Sequence, residues 1–208
     1  MSRWHDLVRW ERARKFALPG WLDRLASVGI VTADAQVARR QRFTNIVAYA
    51  VALNTASHLV TNGFFEPAGL LPIHIYNAAF TVGALLIHRL HRYGDNVAAN
   101  TLATLVLFGN LYVIWMLGRE SQLHVYFTLA GVLLFMLGVE NLRQFLLWYL
   151  VAFVALLASL QFAPPYGLLL DHPSALHGVL AANAMINAII INVLSIFYAL
   201  AALRRTEI

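Results

Sequence analysis

Residues 145–162 read FLLWYLVAFVALLASLQF, a run without a charged side chain. A membrane-crossing helix needs roughly 20 mostly apolar residues, and this run almost supplies them without interruption. The whole 208-residue chain has the same character, since 60% of its residues are hydrophobic, 12% are charged and the mean hydropathy is +0.66. Soluble domains average about 45–50% apolar and about 25% charged residues. The composition therefore predicts an all-α, polytopic membrane protein and excludes a soluble enzyme or a disordered tail.

Six windows of this kind predict six transmembrane helices within residues 43–205. The windows are Phe43–Asn62, Gly69–His88, Val97–Leu117, Gln122–Val139, Phe145–Phe162 and Leu176–Leu203. The fourth window is short for a span, so we expect it to borrow length from the loop before it. Residues 206–208 are expected to begin a cytoplasmic linker.

The basic residues predict the orientation, because Lys and Arg accumulate on the cytoplasmic side of a membrane protein. Fourteen of the 15 lie before the first window or after the second, fourth and sixth, and Arg119 alone lies on the other side. Both termini are therefore predicted to be cytoplasmic, with the chain in a bacterial inner membrane. This topology accounts for the net charge of +5 without a nucleic-acid partner.

Residues 1–42 are predicted to form amphipathic helices, broken at Pro19-Gly20, that precede the membrane domain. Trp4, Leu7 and Val8 fall near one face among basic residues, which is typical of a helix in the headgroup plane. A dimer contact and a docking surface for another domain are the alternatives. Thr32-Ala33-Asp34 offers N-cap residues for a helix that continues into the first span.

The interior of the predicted spans carries amides and hydroxyls rather than charges: Asn54, Asn77, Asn110, Asn183, Asn187, Asn192 and Ser195. A proton pump or ion-coupled transporter would be expected to carry an ionisable residue at mid-membrane, and none is found there. Two interpretations stay open for the amides. They either join neighbouring helices or line a pocket for a lipid-like ligand.

Histidines and carboxylates collect at the predicted outer ends of the spans, and we call this set the outer rim. Its predicted metal ligands are Glu66, Glu120, His124 and His177, and its predicted ligand-binding residues are His58, His74, Gln161, Asp171 and His172. Imidazole and carboxylate suit a divalent cation such as zinc. Glu120 and His124 are four residues apart and would face the same way on a helix. Ordinary interfacial contacts, a histidine pH switch and a b-type haem held by His58 and His74 are the alternatives.

Two classes of chemistry are excluded or lack a signal. The chain contains no cysteine, which rules out thiolate metal sites, iron–sulfur clusters and disulfides. It also contains no phosphate-binding glycine loop, nucleophile elbow or His-Glu-x-x-His motif. We therefore expect this chain not to be an enzyme.

Five short motifs follow one another along the chain. They are Val37-Ala38-Arg39-Arg40-Gln41-Arg42, His91-Arg92-Tyr93-Gly94, Gly118-x-Glu120-Ser121-x-x-His124-x-Tyr126-Phe127, Gly138-Val139-Glu140 and Phe162-Ala163-Pro164-Pro165. Over residues 37–205 this ordered set resembles the six-helix membrane anchors of bacterial class III adenylate cyclases, including mycobacterial ones. Two positions depart from that family, which usually has Gly near the position of Gln122 and often Asp where Glu120 stands.

The resemblance implies a sensor and anchor domain that forms a homodimer. It would relay an outer-side signal, such as a divalent cation, through the sixth helix to a cytoplasmic cyclase domain of the same protein. Quorum-sensing receptor kinases have a similar six-helix input. A receptor for a small lipophilic ligand coupled to a histidine kinase is therefore the alternative, and a small transporter is a further one.

Overall fold

The computed structural model describes residues 20–65, 68–170 and 172–204, with side chains described to residue 198. All the regular structure within these ranges is helical, which confirms the predicted all-α class. The α-helices are α1 (Gly20–Ala26), α2 (Ala35–Phe65), α3 (Leu71–Leu85), α4 (Val97–Leu117), α5 (Leu133–Leu137), α6 (Leu142–Phe162) and α7 (Ala175–Arg204). Four 3₁₀ segments complete the described set: Ile87–Tyr93, Arg119–Ser121, Leu123–Val132 and Val139–Asn141.

Within the described ranges, three helices are long and apolar enough to cross a membrane: Val97–Leu117, Val139–Phe162 and Ala175–Tyr198. A fourth candidate is the pair formed by α3 and Ile87–Tyr93, which bends by 48° at the break between them. The central helix α2 is 31 residues long and contacts α1, α3, α4, α5 and α7. The presence of six spans and the cytoplasmic position of both termini stay predictions.

The fourth predicted span is wound partly as a 3₁₀ helix, which the sequence did not indicate. Residues Leu123–Val132 form a ten-residue 3₁₀ helix that continues directly into α5. A 3₁₀ helix rises about 2.0 Å per residue against about 1.5 Å for an α-helix, so the two segments together reach about 28 Å. That length is close to the hydrocarbon thickness of a bilayer, about 30 Å. The tighter winding gives this length without residues from the preceding loop, and the fourth span itself stays a prediction.

The two ends of this segment share one backbone device. Gly118 (φ 86°, ψ 162°) and Gly138 (φ 81°, ψ 157°) each end an α-helix in a conformation that is essentially open to glycine alone. Each is followed by a single 3₁₀ turn with a glutamate at its second position, Glu120 or Glu140. The two glycine–acid motifs of the sequence therefore mark the two sharp turns that bracket the fourth segment.

The predicted N-cap of α2 is confirmed. The Asp34 carboxylate accepts hydrogen bonds from the backbone N–H groups of Gln36 (2.8 Å) and Val37 (3.0 Å). These bonds, with that of Val37 the stronger influence, hold the pKa of Asp34 below its usual range. A carboxyl group with a lowered pKa stabilises the fold above its ordinary pKa, and this contribution is lost as the pH falls. From this cap α2 runs unbroken to Phe65, across the predicted boundary at residue 42.

Two of the quoted motifs contact each other at the predicted inner end. Arg40 donates from Nη1 to the carbonyl oxygen of Leu137 (3.0 Å) and forms an ion pair with Glu140. The contact ties the start of α2 to the turn after α5. Of the predicted N-terminal region, residues 1–19 lie outside the described residues, and residues 20–42 include α1 and the start of α2.

The strained turn at Gln122 carries a prediction for stability. Gln122 has φ 56°, so its backbone lies in the left-handed region, which residues other than glycine rarely adopt. Such a conformation costs a non-glycine residue roughly 1–2 kcal/mol. Glycine avoids this cost, but its greater freedom in the unfolded chain offsets about 0.5–1 kcal/mol of the gain. We expect Gln122→Gly to stabilise the protein by about 0.5–1 kcal/mol in thermal unfolding of the detergent-solubilised chain. Gln161→Gly, near the end of helix α6, should destabilise it, and a loss of stability in both variants would contradict this account.

Candidate functional site

The outer-rim residues do not gather at one point. Glu120 and His124 were predicted to share a helical face, but Gln122 with its positive φ interrupts the helix between them. Glu120 is exposed in the turn Arg119–Ser121, while His124 is partly buried in the next segment. The i, i+4 argument for this pair is therefore wrong, because it assumed one continuous helix.

His177 has a structural role at this end of the bundle. Its Nε2–H donates to the carbonyl oxygens of Leu117 (2.9 Å) and Tyr166 (3.3 Å), and its Nδ1 accepts from the N–H of Ser174 (3.3 Å). Both ring nitrogens thus have backbone partners, which does not fit a metal ligand. The imidazole instead fixes the start of α7 against the end of α4.

The remaining rim residues are dispersed. His74 is partly buried near the start of α3, and Gln161 and His172 are exposed. Glu66 and Asp171 lie outside the described residues. Within the ranges that the structure describes, no group of three His, Cys, Asp or Glu side chains could hold a metal ion. The divalent-cation site stays a prediction.

His58, placed in the rim by its sequence position, instead belongs to a buried polar network. Its Nε2 lies 2.8 Å from the hydroxyl of Tyr126, and that hydroxyl donates to Oδ1 of Asn54 at 2.8 Å. On its other side, Nδ1 lies 3.3 Å from Nδ2 of Asn183, whose Oδ1 accepts from Asn187 at 2.8 Å. We call these five residues the Tyr126 network. It joins α2, the 3₁₀ segment Leu123–Val132 and α7.

The hydrogen-bond roles in this network fit one protonation state. The single hydroxyl proton of Tyr126 goes to Asn54, so the Tyr126 oxygen accepts from Nε2–H of His58. Nδ1 of His58 then carries the lone pair that accepts from Asn183. A second ring proton would meet the amide N–H of Asn183, donor against donor. The contacts are therefore those of a neutral imidazole.

A cavity of about 80 Å³ lies beside the network. Its polar lining consists of Asn54, Thr55, His58, Asn62, Tyr76, Asn77, Asn110 and Tyr126. Within the described part of the chain, no charged side chain contributes to its walls, which are otherwise aliphatic and aromatic. A largely apolar pocket with a few converging polar groups is the usual form of a small-molecule site.

Asn62 is the exceptional residue of this cavity. Its side chain is 1% exposed, and neither Oδ1 nor Nδ2 has a hydrogen-bond partner among the described residues. Leaving a buried polar group unpaired costs about 1–3 kcal/mol. A buried amide with both ends unpaired therefore calls for a partner within the cavity that offers a donor and an acceptor.

The comparison with protein families decides what kind of domain this is. A family model for MASE7, a membrane-associated sensor domain, matches residues 32–208. The chain belongs to the MASE7 family. No curated protein matches it significantly. The prediction of a membrane sensor domain is thereby confirmed, and the match begins just before the Asp34 cap of α2.

The interior site of this MASE7 domain was visible in the sequence only in part. The amides Asn54, Asn183 and Asn187 were recognised as interior polar residues, with a ligand pocket as one of two interpretations. Tyr126 and Asn62 were missed as site residues. Tyr126 stood within a quoted motif, and Asn62 closed the first predicted span. Tyr126 could have been found from its type, because it is a tyrosine in an otherwise apolar segment. A buried tyrosine hydroxyl commonly has a hydrogen-bond partner.

Proposed function

We propose that this MASE7 domain is the membrane sensor and anchor of a class III adenylate cyclase. It crosses the inner membrane six times with both termini in the cytoplasm, forms a homodimer and passes a signal through α7. The observation that carries this proposal is the course of α7. The helix holds Asn183 and Asn187 of the Tyr126 network and runs without interruption to Arg204.

The six-span topology is supported by charge and by length. The basic residues fall on one side of the six windows with the exception of Arg119. The helix α2 exceeds the roughly 20 residues that a span needs, and its buried side carries amides and hydroxyls that lower its hydropathy. The 3₁₀ segment and α5 together match the bilayer thickness as described above.

The network gives this sensor a physical route from site to output. A ligand shifts an equilibrium between two helix arrangements only by its different affinities for them. A molecule bound beside His58 and Asn54 on α2 would favour one of the two packings of α7. The contact that differs between them is the one from Asn183 to His58. A small shift or rotation of α7 then changes the geometry at its cytoplasmic end, where the cyclase domain follows.

A hybrid protein tests the proposal. The chain is joined after α7 to a class III cyclase domain that is active only as a dimer, and cyclic AMP formation is measured in bacterial cells. We expect membrane-bound activity well above that of the cyclase domain alone, which requires both a cytoplasmic C-terminus and dimerisation. A hybrid that is folded, monomeric and inactive would contradict the proposal.

The relay is tested in the same hybrid with two asparagine variants on one helix. Asn183→Leu breaks the contact between α7 and His58 and should change cyclic AMP formation at least threefold. Asn192→Leu serves as the matched control, since Asn192 lies on α7 outside both the Tyr126 network and the cavity lining. Equal effects of the two variants would argue against transmission through the network.

A further inference from the structure

A second cavity of about 70 Å³ adjoins the polar one. The two share the lining residues Val51, Val106, Tyr126, Leu129 and Ile191. We propose that together they form one binding site for an uncharged amphiphile. The polar end of this molecule carries a hydrogen-bond donor and an acceptor that meet Asn62, and its short aliphatic tail occupies the second cavity. This inference rests on the proposed sensor function, for which it names the class of ligand.

Asn62 fixes the chemistry of the polar end. Its unpaired Nδ2 needs an acceptor and its unpaired Oδ1 needs a donor, and both atoms are shielded from solvent. A primary amide, or a hydroxyl group next to a carbonyl group, offers both. An ether or a simple ketone would satisfy Nδ2 alone and leave Oδ1 without a donor.

The described lining offers no opposite charge to an ionic head. Among the residues that the structure describes, neither cavity is lined by Asp, Glu, Lys or Arg. The imidazole of His58 has the contacts of its neutral form, and Oδ1 of Asn54 already accepts from Tyr126. An ion in this cavity would give up its hydration without meeting an opposite charge, which is strongly unfavourable.

The second cavity suits the tail. Its walls are formed by aliphatic and aromatic side chains, among them Leu133 and Met136. The indole N–H of Trp148 is already used by Asn100 (2.9 Å), and the Tyr126 hydroxyl by Asn54. Apolar cavities of this kind stay dry and accept apolar groups, and one of about 150 Å³ binds benzene. Each cavity here has about half that volume, which limits the tail to a few carbon atoms.

Photolabelling of the full chain in lipid nanodiscs tests the site. The probe is a six-carbon primary amide with a diazirine near its tail end, and the control probe is the carboxylate with the same chain at neutral pH. We expect the amide probe to label residues of the second cavity, such as Leu133 or Met136, with competition by unlabelled hexanamide. The carboxylate probe should label them at least tenfold less.

Two variants make the result specific. Asn62→Leu removes the polar anchor at similar side-chain volume and should lower labelling at least tenfold. Asn192→Leu should leave it within twofold of the wild type. Ala103→Leu places a larger side chain in the wall of the second cavity and leaves Asn62 unchanged, so it should abolish labelling as well. This variant provides the test if Asn62→Leu fails to fold.

Three results would overturn the inference: equal labelling by the amide and carboxylate probes, labelling confined to the exposed residues of α6, or full labelling of Asn62→Leu. The experiment reads binding without any output domain. Labelling of the chain together with a folded, monomeric and inactive hybrid would contradict the proposed function alone, and an active, dimeric hybrid without labelling of the chain would contradict this inference alone.

Discussion

Gly118→Ala should strongly destabilise the native fold. A methyl group at Gly118 would overlap backbone atoms of Pro165, Tyr166 and Gly167, which cannot turn aside as a side chain can. The opposing loop is held in place by hydrogen bonds from Arg119 N to Pro164 O (2.9 Å) and from Glu120 N to Pro165 O (3.0 Å). The alanine would also occupy a backbone conformation that is essentially restricted to glycine, at a cost of about 1–3 kcal/mol. We expect the free energy of unfolding to fall by more than about 3 kcal/mol. The measurement is the monodisperse fraction that remains after heating, compared with the wild type.

Two further glycines separate the causes of this effect. Gly138 has nearly the same φ and ψ, but its added methyl would meet the ends of the Arg40 and Glu140 side chains, which can move. Gly138→Ala should therefore cost only the conformational part, about 1–3 kcal/mol. Gly178 lies in α7 with nothing within 4 Å of an added Cβ, so Gly178→Ala should be neutral or stabilise the helix by up to about 1 kcal/mol. Equal losses at Gly118 and Gly178 would contradict the loop-crossing explanation.

Asn45→Leu should release the segment after α1 from the bundle. The Asn45 side chain is 1% exposed, and its Nδ2 donates to the carbonyl oxygens of Ala26 and Val28, both at 2.9 Å. Its Oδ1 accepts from Nε2–H of His91 at 2.8 Å. Leucine keeps the volume and removes all three bonds. At about 1 kcal/mol for each bond, we expect a loss of about 3 kcal/mol in the free energy of unfolding.

The chain's lack of cysteine gives this prediction a clean readout. A cysteine placed at the fully buried Ala26 would be the single thiol in the protein. We expect Asn45→Leu to raise its rate of maleimide labelling at least tenfold. Tyr49→Phe is the matched control, since it removes one exposed hydrogen bond to Leu25 O (3.3 Å) in the same segment and should change the rate little. A segment that stays protected in Asn45→Leu would show that apolar packing alone holds it.

The helical segments and their chemistry could be predicted from the sequence with good precision. The window Val97–Leu117 coincides with α4, and Leu176–Leu203 differs from α7 by one residue at each end. The Asp34 cap was also predictable, because capping depends on residues adjacent in the chain. The second window was predicted to run from Gly69 to His88, whereas helix α3 ends at Leu85 and the chain bends there by 48° into the 3₁₀ segment Ile87–Tyr93. Its apolar composition does not distinguish one helical winding from another.

The site was harder to predict because its contacts join distant parts of the chain. His58 and Tyr126 are 68 residues apart, and His58 and Asn183 are 125 apart. Their meeting depends on the order of the helices around the bundle and on the rotation of each about its own axis. The depth of His58 along its span indicated the rim, whereas the rotation of α2 turns its side chain into the interior.

The helical class, the apolar segments and the uneven distribution of basic residues can all be read from the amino-acid order, since each depends on local composition. The sequence also contained the glycines of the two sharp turns. The packing of the segments is needed to see that His177 contacts backbone carbonyls, that Glu120 and His124 lie in separate segments, and that Asn62 faces a cavity with no partner among the described residues. Those facts depend on how three or more segments pack together, and side-chain direction in packed helices is set by their mutual rotation rather than by the sequence of any one of them.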